Sequence, residues 1–383
     1  MASLFTNTTL SDEGIRSTIR LRGGLTAKHR VTAWKYIFRL PGNSTSFYDF
    51  LAIGPHPAAV SSLATRYPLR DRKLFRKMAV LISALAHWSP IWADAEFAMA
   101  WVFPFVVVFG QDDLGAFEAA MCFLLHWGSR LLITFPQPPV PVLLSMQLML
   151  ACVDRELAAH LSSLSVGALS YGWPLLRSAF SEVMCRDDWL RLMDRVLANA
   201  KKPELLEAAA VGFVVASRAR LLSYNSAPEV EAYFRRPQPS VDLQKVFRVM
   251  VKVSSLGPPE RWSRRDIVAA LAAGGVAGRS QQEVGGDGNV DGTMAALELL
   301  RSSRQEFTPL PTGAYPSYDG FPHFVVNYQA ELRERVAKQE REVEQRRHLV
   351  EELEERARSI TNRERAMERE TRINQGAGET PST

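Results

Sequence analysis

Long apolar runs, cysteines, paired histidines and phosphate-binding glycine loops are all scarce in this sequence of 383 residues, and each shortage removes a class of function. The longest uncharged apolar run covers residues 97–110. That is short of the roughly 20 residues a membrane-spanning helix needs. The opening MASLFTNTTLSDEGIR has no basic segment followed by an apolar core, so no secretory signal is expected. Cys122, Cys152 and Cys185 are an odd, scattered set in apolar surroundings. They read as reduced, buried thiols of an intracellular, soluble protein, not as a disulfide frame or zinc site. The seven histidines never pair with each other or with cysteine at ligand spacing, and His87 and His126, beside Trp88 and Trp127, read as core or boundary residues. No phosphate loop or nucleophile elbow occurs, and no cofactor is expected. The net charge of +5 is modest, and no basic run is interleaved with aromatics, which argues against nucleic acid as a partner.

What the chain does have is hydrophobic residues, 46% of the total, enough for one large core plus appendages. Residues 85–125 are the stretch the rest is organised around. Its centre, 97–110, is apolar on every face and reads as a helix buried all round. Pro104 inside it predicts a kink or a break into two pieces. Helical spacing continues over 46–53, 70–87, 114–132, 142–164, 174–184, 187–199 and 204–216, while nothing alternates as a strand should. The expected fold class is all-α, with Trp34, Trp88, Trp101 and Trp173 in the core.

Several motifs carry a resemblance. Arg30-x-x-x-Trp34 after Gly23-Gly24 resembles the opening of a TBC domain, the Rab GTPase-activating fold. Pro90, Pro104 with Ala116-Phe117 after it, WPLLRSAFSEV around Trp173 and DDWLRLMDRVLAN follow in that family's order and spacing. Within the family the match is with WD-repeat-bearing members of centrosomes and centriolar satellites, carried by KLFRKMAVLISALAHWSPI, LSYGWPLL and GAYPSYDGFPHFVVNYQ, although this chain starts without WD repeats. The resemblance covers about residues 14–345.

Active TBC domains are implied to insert an arginine from Ile-x-x-Asp-x-x-Arg and a glutamine from Tyr-x-Gln into the GTPase site. The arginine neutralises charge on the transferred phosphoryl group, and the glutamine orients the attacking water. Counted back from Pro104, the tyrosine falls on Asp94, the glutamine on Glu96 and the next glycine on Phe97. Glu96 has the wrong sign to face phosphate oxygens. Phe97 would crowd a backbone meant to approach a nucleotide. No Asp-x-x-Arg lies between Arg30 and Asp94: Asp49 meets Ala52 at that spacing, and Asp71 meets Leu74. Arg66, Arg70, Arg72 and Arg76 fall in the right interval and read as a solvated basic helix start, with a substitute finger as the alternative. Both fingers are expected to be lost.

Asp287, Asn289, Asp291 and Glu298, with Gly292 at the sixth place, fit the spacing of a calcium loop. No amphipathic helix enters it and Ala295 holds the ninth position, so it reads as a lookalike without metal. The expected organisation is a disordered 1–13, a TBC-like helical domain over 14–253, and a connector over 254–326. That connector holds helices at 263–273 and 294–303, a disordered Gly-rich loop 274–292, and aromatics Tyr315, Tyr318, Phe321, Phe324 and Tyr328 that dock on the domain. A coiled coil over 327–374 and a disordered tail 375–383 complete it. The coil's seam is Leu332, Val336, Val343, Val350, Leu353, Ala357 and Ile360, interrupted by Gln339, Arg346 and Glu364, and favours a dimer.

The resemblance implies a non-catalytic scaffold at the centrosome, centriolar satellites or ciliary basal body, acting in cilium assembly. Implied partners are centriolar and ciliary proteins, a ubiquitin ligase among them, while the heptad pattern adds a second copy of the chain or another coiled coil. The alternatives are a Rab GTPase-activating protein with atypical fingers and a small-GTPase binder that does not accelerate hydrolysis.

Overall fold

The computed structural model describes residues 11–238, 240–273, 287–304, 307–313 and 315, and in the C-terminal segment residues 338, 341–353, 356 and 358. The chain divides into two compact units, Met1–Phe321 and Pro322–Thr383. Among the described residues all regular structure is helical, as the lack of alternating patterns predicts.

The first unit is built around the helix Glu96–Phe109, which buries residues on every face. It returns through Gly110 into the helix Asp113–Phe123, forming an apolar hairpin. Pro104 lies inside a single helix and does not divide it. The proline leaves the Ala100 carbonyl without its usual donor, and the Ser181 hydroxyl lies 3.3 Å from that oxygen. Aromatic rings knit the hairpin to its surroundings. Trp34 meets Phe105 edge-on at 5.8 Å and Trp189 at 6.2 Å, while Trp101 packs on Phe123 at 4.7 Å. Trp34, Trp88 and Trp101 are core, as expected. The helix Leu205–Ala216, buried all round, crosses Leu243–Leu256 at Gly212. A Cβ there would stand 2.9 Å from the Val246 carbonyl, so only glycine allows the two backbones to approach so closely.

Several expectations need correction. The 142–164 helix is two, Val140–Val153 and Arg155–Ser163, because Asp154 caps the second by accepting from the Leu157 amide at 3.1 Å. The 114–132 helix is interrupted by a π-turn at Leu124–Gly128. In place of 174–184 the helix is Ala168–Arg177, ending before Ala179 and Phe180 at positive φ. Its buried face is Ala168, Tyr171, Gly172, Leu175 and Leu176, a period of 3.6 that excludes Trp173, which is half-buried instead of core. Asp12–Arg22, Pro57–Arg66 and Leu243–Leu256 are helices that the hydrophobic pattern left unassigned. Cys122 is buried, but Cys152 and Cys185 are exposed, the first near the end of its helix and the second as an N-cap.

The expected boundary at residue 253 falls inside the helix Leu243–Leu256, and the chain beyond it belongs to the first unit. Helices Arg264–Ala273 and Asp287–Ser302 pack on Val140–Val153, with Ile267, Ala270, Leu271 and Leu297 burying against Leu148. Residues 287–292, expected as disordered loop, are the first turns of Asp287–Ser302; Val290, Met294 and Leu297 at helical spacing supply the apolar face that holds it. Residues 274–286 lie outside the described residues. Tyr315 docks as expected, stacked on Phe50 and edge-on to Phe117, whereas Tyr318, Phe321, Phe324 and Tyr328 lie outside the described residues.

In the second unit, residues 341–353 are helical. Val343, Val350 and Leu353 are exposed on it, and Arg347–Glu351 and Glu352–Arg356 pair one turn apart. The remaining seam positions Leu332, Val336, Ala357 and Ile360 lie outside the described residues, as do the termini 1–10 and 359–383.

Candidate functional site

The Arg30-Trp34 motif sits on the helix Ala27–Phe38 and is structural. Both side chains point at Asp194, a fully buried carboxylate on Arg186–Leu197. Arg30 grips it with two parallel bonds, Nε and Nη2 each at 3.0 Å, and Trp34 Nε1 donates at 2.9 Å. The Leu25 amide adds a fourth at 2.7 Å. Gly24 lets the chain come this close, since a Cβ would lie 3.2 Å from an Asp194 oxygen. Asp194 was not singled out by sequence. Its signal is an acidic residue on an otherwise apolar helical face, beside Leu190 and Val196.

The finger positions lie at the junction of the short helix Ile91–Asp94 and the helix Glu96–Phe109. Glu96 is exposed in the first turn, where a carboxylate is favoured by the helix dipole. Phe97 is 3% exposed and fills the core between Trp101, at 5.2 Å, and Trp92, at 6.5 Å. The Asp94 carbonyl receives Arg66 Nη1 at 3.5 Å, and Asp94 works on His56, favouring its charged form. Burial first, and then the neighbouring His87, pull His56 the other way, to a net lowering. His56 Nδ1 accepts from the Ala59 amide, and its ring meets that of His87 at 5.1 Å. Position by position, the junction offers a carboxylate beside a histidine pair, an exposed carboxylate and a buried ring.

The possible substitute arginines are all exposed, and Arg66 reaches the Asp94 carbonyl of the finger segment. Asp71, one of the two acids tested for the arginine motif, is consumed as an N-cap by the amides of Lys73 and Leu74.

The calcium-loop lookalike is continuous helix over Asp287–Ser302, and a helix cannot fold its oxygens around an ion as a loop does. Asp291 binds Arg264 at 2.6 Å and Glu298 binds Arg301 at 2.9 Å. Among the described residues no group of three potential ligands is poised to hold a metal. No helix among them is long and apolar enough to cross a membrane.

Two further buried polar groups were not anticipated. Glu118 accepts from the amides of Gly42 and Asn43 and from the Tyr315 hydroxyl at 3.0 Å, and so ties the 311–315 segment to the core. Arg130 pairs with Glu207 at 2.6 Å, with Glu260 at 3.7 Å beside it. Burial pushes the Glu207 carboxyl up against the pull of Arg130.

No family model matches the chain. It is 31% identical over 345 residues to TBC1 domain family member 31 of Xenopus tropicalis and 29% identical over 344 residues to that of Homo sapiens, in each case 90% of this chain. The chain spans only 28% of the length of those relatives. Among solved structures it resembles the Ypt/Rab-GAP domain of Gyp1p, with a TM-score of 0.52 at 13% identity, over 66% of this chain and 94% of that one. At that identity the likeness shows the fold. Over nine-tenths of its length the chain is a homologue of the TBC1 domain family member 31 proteins, and its helical unit carries the TBC fold.

Proposed function

We propose that this chain is a TBC-fold scaffold that does not accelerate GTP hydrolysis. On the resemblance drawn from its motifs, it acts at the centrosome or ciliary basal body in cilium assembly, with centriolar and ciliary proteins and a ubiquitin ligase as partners. The observation that carries the loss of catalysis is the junction at residues 94–97, where Phe97 is locked in the core and Glu96 presents negative charge to solvent. Loss of an arginine finger alone removes about 10³-fold or more of the stimulated rate.

GTP hydrolysis across a panel of Rab GTPases tests it. The expected result is no stimulation by the wild type, nor by Asp94→Tyr/Glu96→Gln, because neither substitution restores an arginine finger. Multiple-turnover acceleration of a single Rab refutes it.

One observation favours a second reading, an activator with an atypical finger: Arg66 reaches the Asp94 carbonyl, at the tyrosine position of the finger segment. On that reading the wild type stimulates a Rab and Arg66→Ala abolishes the effect. A GTPase binder without activation would instead retain a GTP-locked Rab in a pull-down while leaving its hydrolysis rate unchanged.

A further inference from the structure

A basic pocket of about 630 Å³ lies apart from the finger positions and shares no residue with them. It opens between the helix Asp12–Arg22, the end of Ala27–Phe38, the turn after Arg186–Leu197, and residues Arg261, Arg304 and Phe307. Six cations and one acid line it. Two of the cations are already compensated: Arg16 pairs with Asp12 at 3.4 Å, and Arg304 with Glu204 at 3.2 Å and Glu260 at 3.4 Å. That leaves Arg39, Lys201, Lys202 and Arg261, all exposed and without an ionic partner among the described residues. Lys202 meets only the neutral Ser254 hydroxyl, at 3.0 Å.

Four uncompensated cations around one concavity repel each other, and a bound anion would relieve that repulsion. The field extends further. A second cavity, of about 410 Å³, shares Arg16 and Lys202 and adds Arg195 and Arg20, the latter paired with Glu13 at 3.5 Å. There burial, followed by the charge of Arg20, pushes the Arg195 guanidinium down.

Arg39 adds an independent sign. It holds φ 52° at the C-cap of Ala27–Phe38, a left-handed position where glycine is the usual and unstrained choice. Arg39 thus lines the pocket from a strained backbone position.

The shape selects the class of ligand. The volume suits a small molecule, not a nucleic-acid strand or a folded partner. Phe307, the single aromatic among the lining residues, is edge-on to the His126 ring at 5.0 Å, and the lining has no second ring to form a stacking platform for successive bases. We propose that this pocket binds a compact, multiply phosphorylated anion of the inositol phosphate class, free or as a phosphoinositide headgroup, through Arg39, Lys201, Lys202 and Arg261.

Titration calorimetry of the full chain with inositol hexakisphosphate at about 0.15 M salt is the first arm of the test. The expected result is saturable binding that weakens by at least about tenfold in Lys201→Glu/Lys202→Glu, with circular dichroism and melting temperature unchanged. Arg39→Gly is the second variant. It should melt at the same or a higher temperature, since glycine removes the strain, yet bind more weakly. Co-sedimentation with phosphatidylcholine vesicles, with and without phosphatidylinositol bisphosphate, separates the sources. Retention only on the bisphosphate vesicles supports a headgroup, and binding of the hexakisphosphate alone supports a free anion. No binding to either probe, or equal binding by the wild type and Lys201→Glu/Lys202→Glu, overturns the proposal.

Discussion

Replacing Asp194 should expose how far one buried carboxylate ties the helix Ala27–Phe38 to the helix Arg186–Leu197. Its oxygens accept bonds from Leu25, Arg30 and Trp34, all more than 150 residues earlier in the chain. Asp194→Ala strands the Arg30 guanidinium, whose side chain is 9% exposed, with the Leu25 carbonyl as its one remaining acceptor among the described residues. It also orphans Trp34 Nε1 and the Leu25 amide. Breaking a buried ion pair costs about 3–5 kcal/mol, and a neutral orphaned donor about 1–3 kcal/mol more. A loss of at least about 3–5 kcal/mol is therefore expected. Arg30→Met alone leaves the carboxylate with two neutral donors and should cost about as much as one broken pair. In the double variant the stranded cation is gone. Its loss should fall short of the sum of the two singles by about 3 kcal/mol, at the upper end of measured couplings. Urea unfolding followed by tryptophan fluorescence reads all four corners of the cycle. A coupling below about 1 kcal/mol would mean that the pair is not the unit described here.

Trp101→Ala removes a ring packed on Phe97 and Phe123 and orphans the Leu176 carbonyl that Trp101 Nε1 serves at 2.9 Å. It should cost about 3–5 kcal/mol in chemical denaturation, and a loss under about 1 kcal/mol contradicts its place in the core. Burial pushes the His126 imidazole down from 6.5 to about 4 while its Nε2 meets the Ala200 carbonyl. The unfolded chain thus takes up a proton that the fold refuses, and stability should fall as pH drops from about 6.5 towards 4, by on the order of 3 kcal/mol. Glu207, pushed up by burial, titrates with the opposite sign, so the comparison of wild type with His126→Gln isolates the histidine; equal acid sensitivity of the two refutes the assignment. Val343 and Val350 are exposed on a charged helix, and if they form a dimer seam, Val343→Asp/Val350→Asp should convert a dimer to a monomer in light scattering without shifting the melting of the helical unit. A wild type already monomeric at tens of micromolar refutes the seam.

The sequence by itself determined the fold class, the central apolar helix and which residues stand at the positions counted back from Pro104. Each is a local property: a run without charge, a period without alternation, the identity of residues 94, 96 and 97. It also identified Arg30 and Trp34 as a motif, but not what they serve. Asp194 is an ordinary acid on an amphipathic helix until folding brings it 160 residues back to Trp34. The same applies to Trp173, where composition suggests burial and the phase of its helix decides otherwise. The Gly-rich, Asp-rich run after residue 286 looked like a loop because its polar residues outnumber its apolar ones. Only the helix Val140–Val153 lying beneath makes Val290, Met294 and Leu297 count as a face. The basic pocket was equally invisible, since Arg39, Lys201 and Arg261 are far apart in the chain and none stands in a charged run. Local sequence fixes which conformations and charges are available. Which of them meet is decided by long-range packing, because burial and Coulomb energy depend on distances that the linear order does not contain.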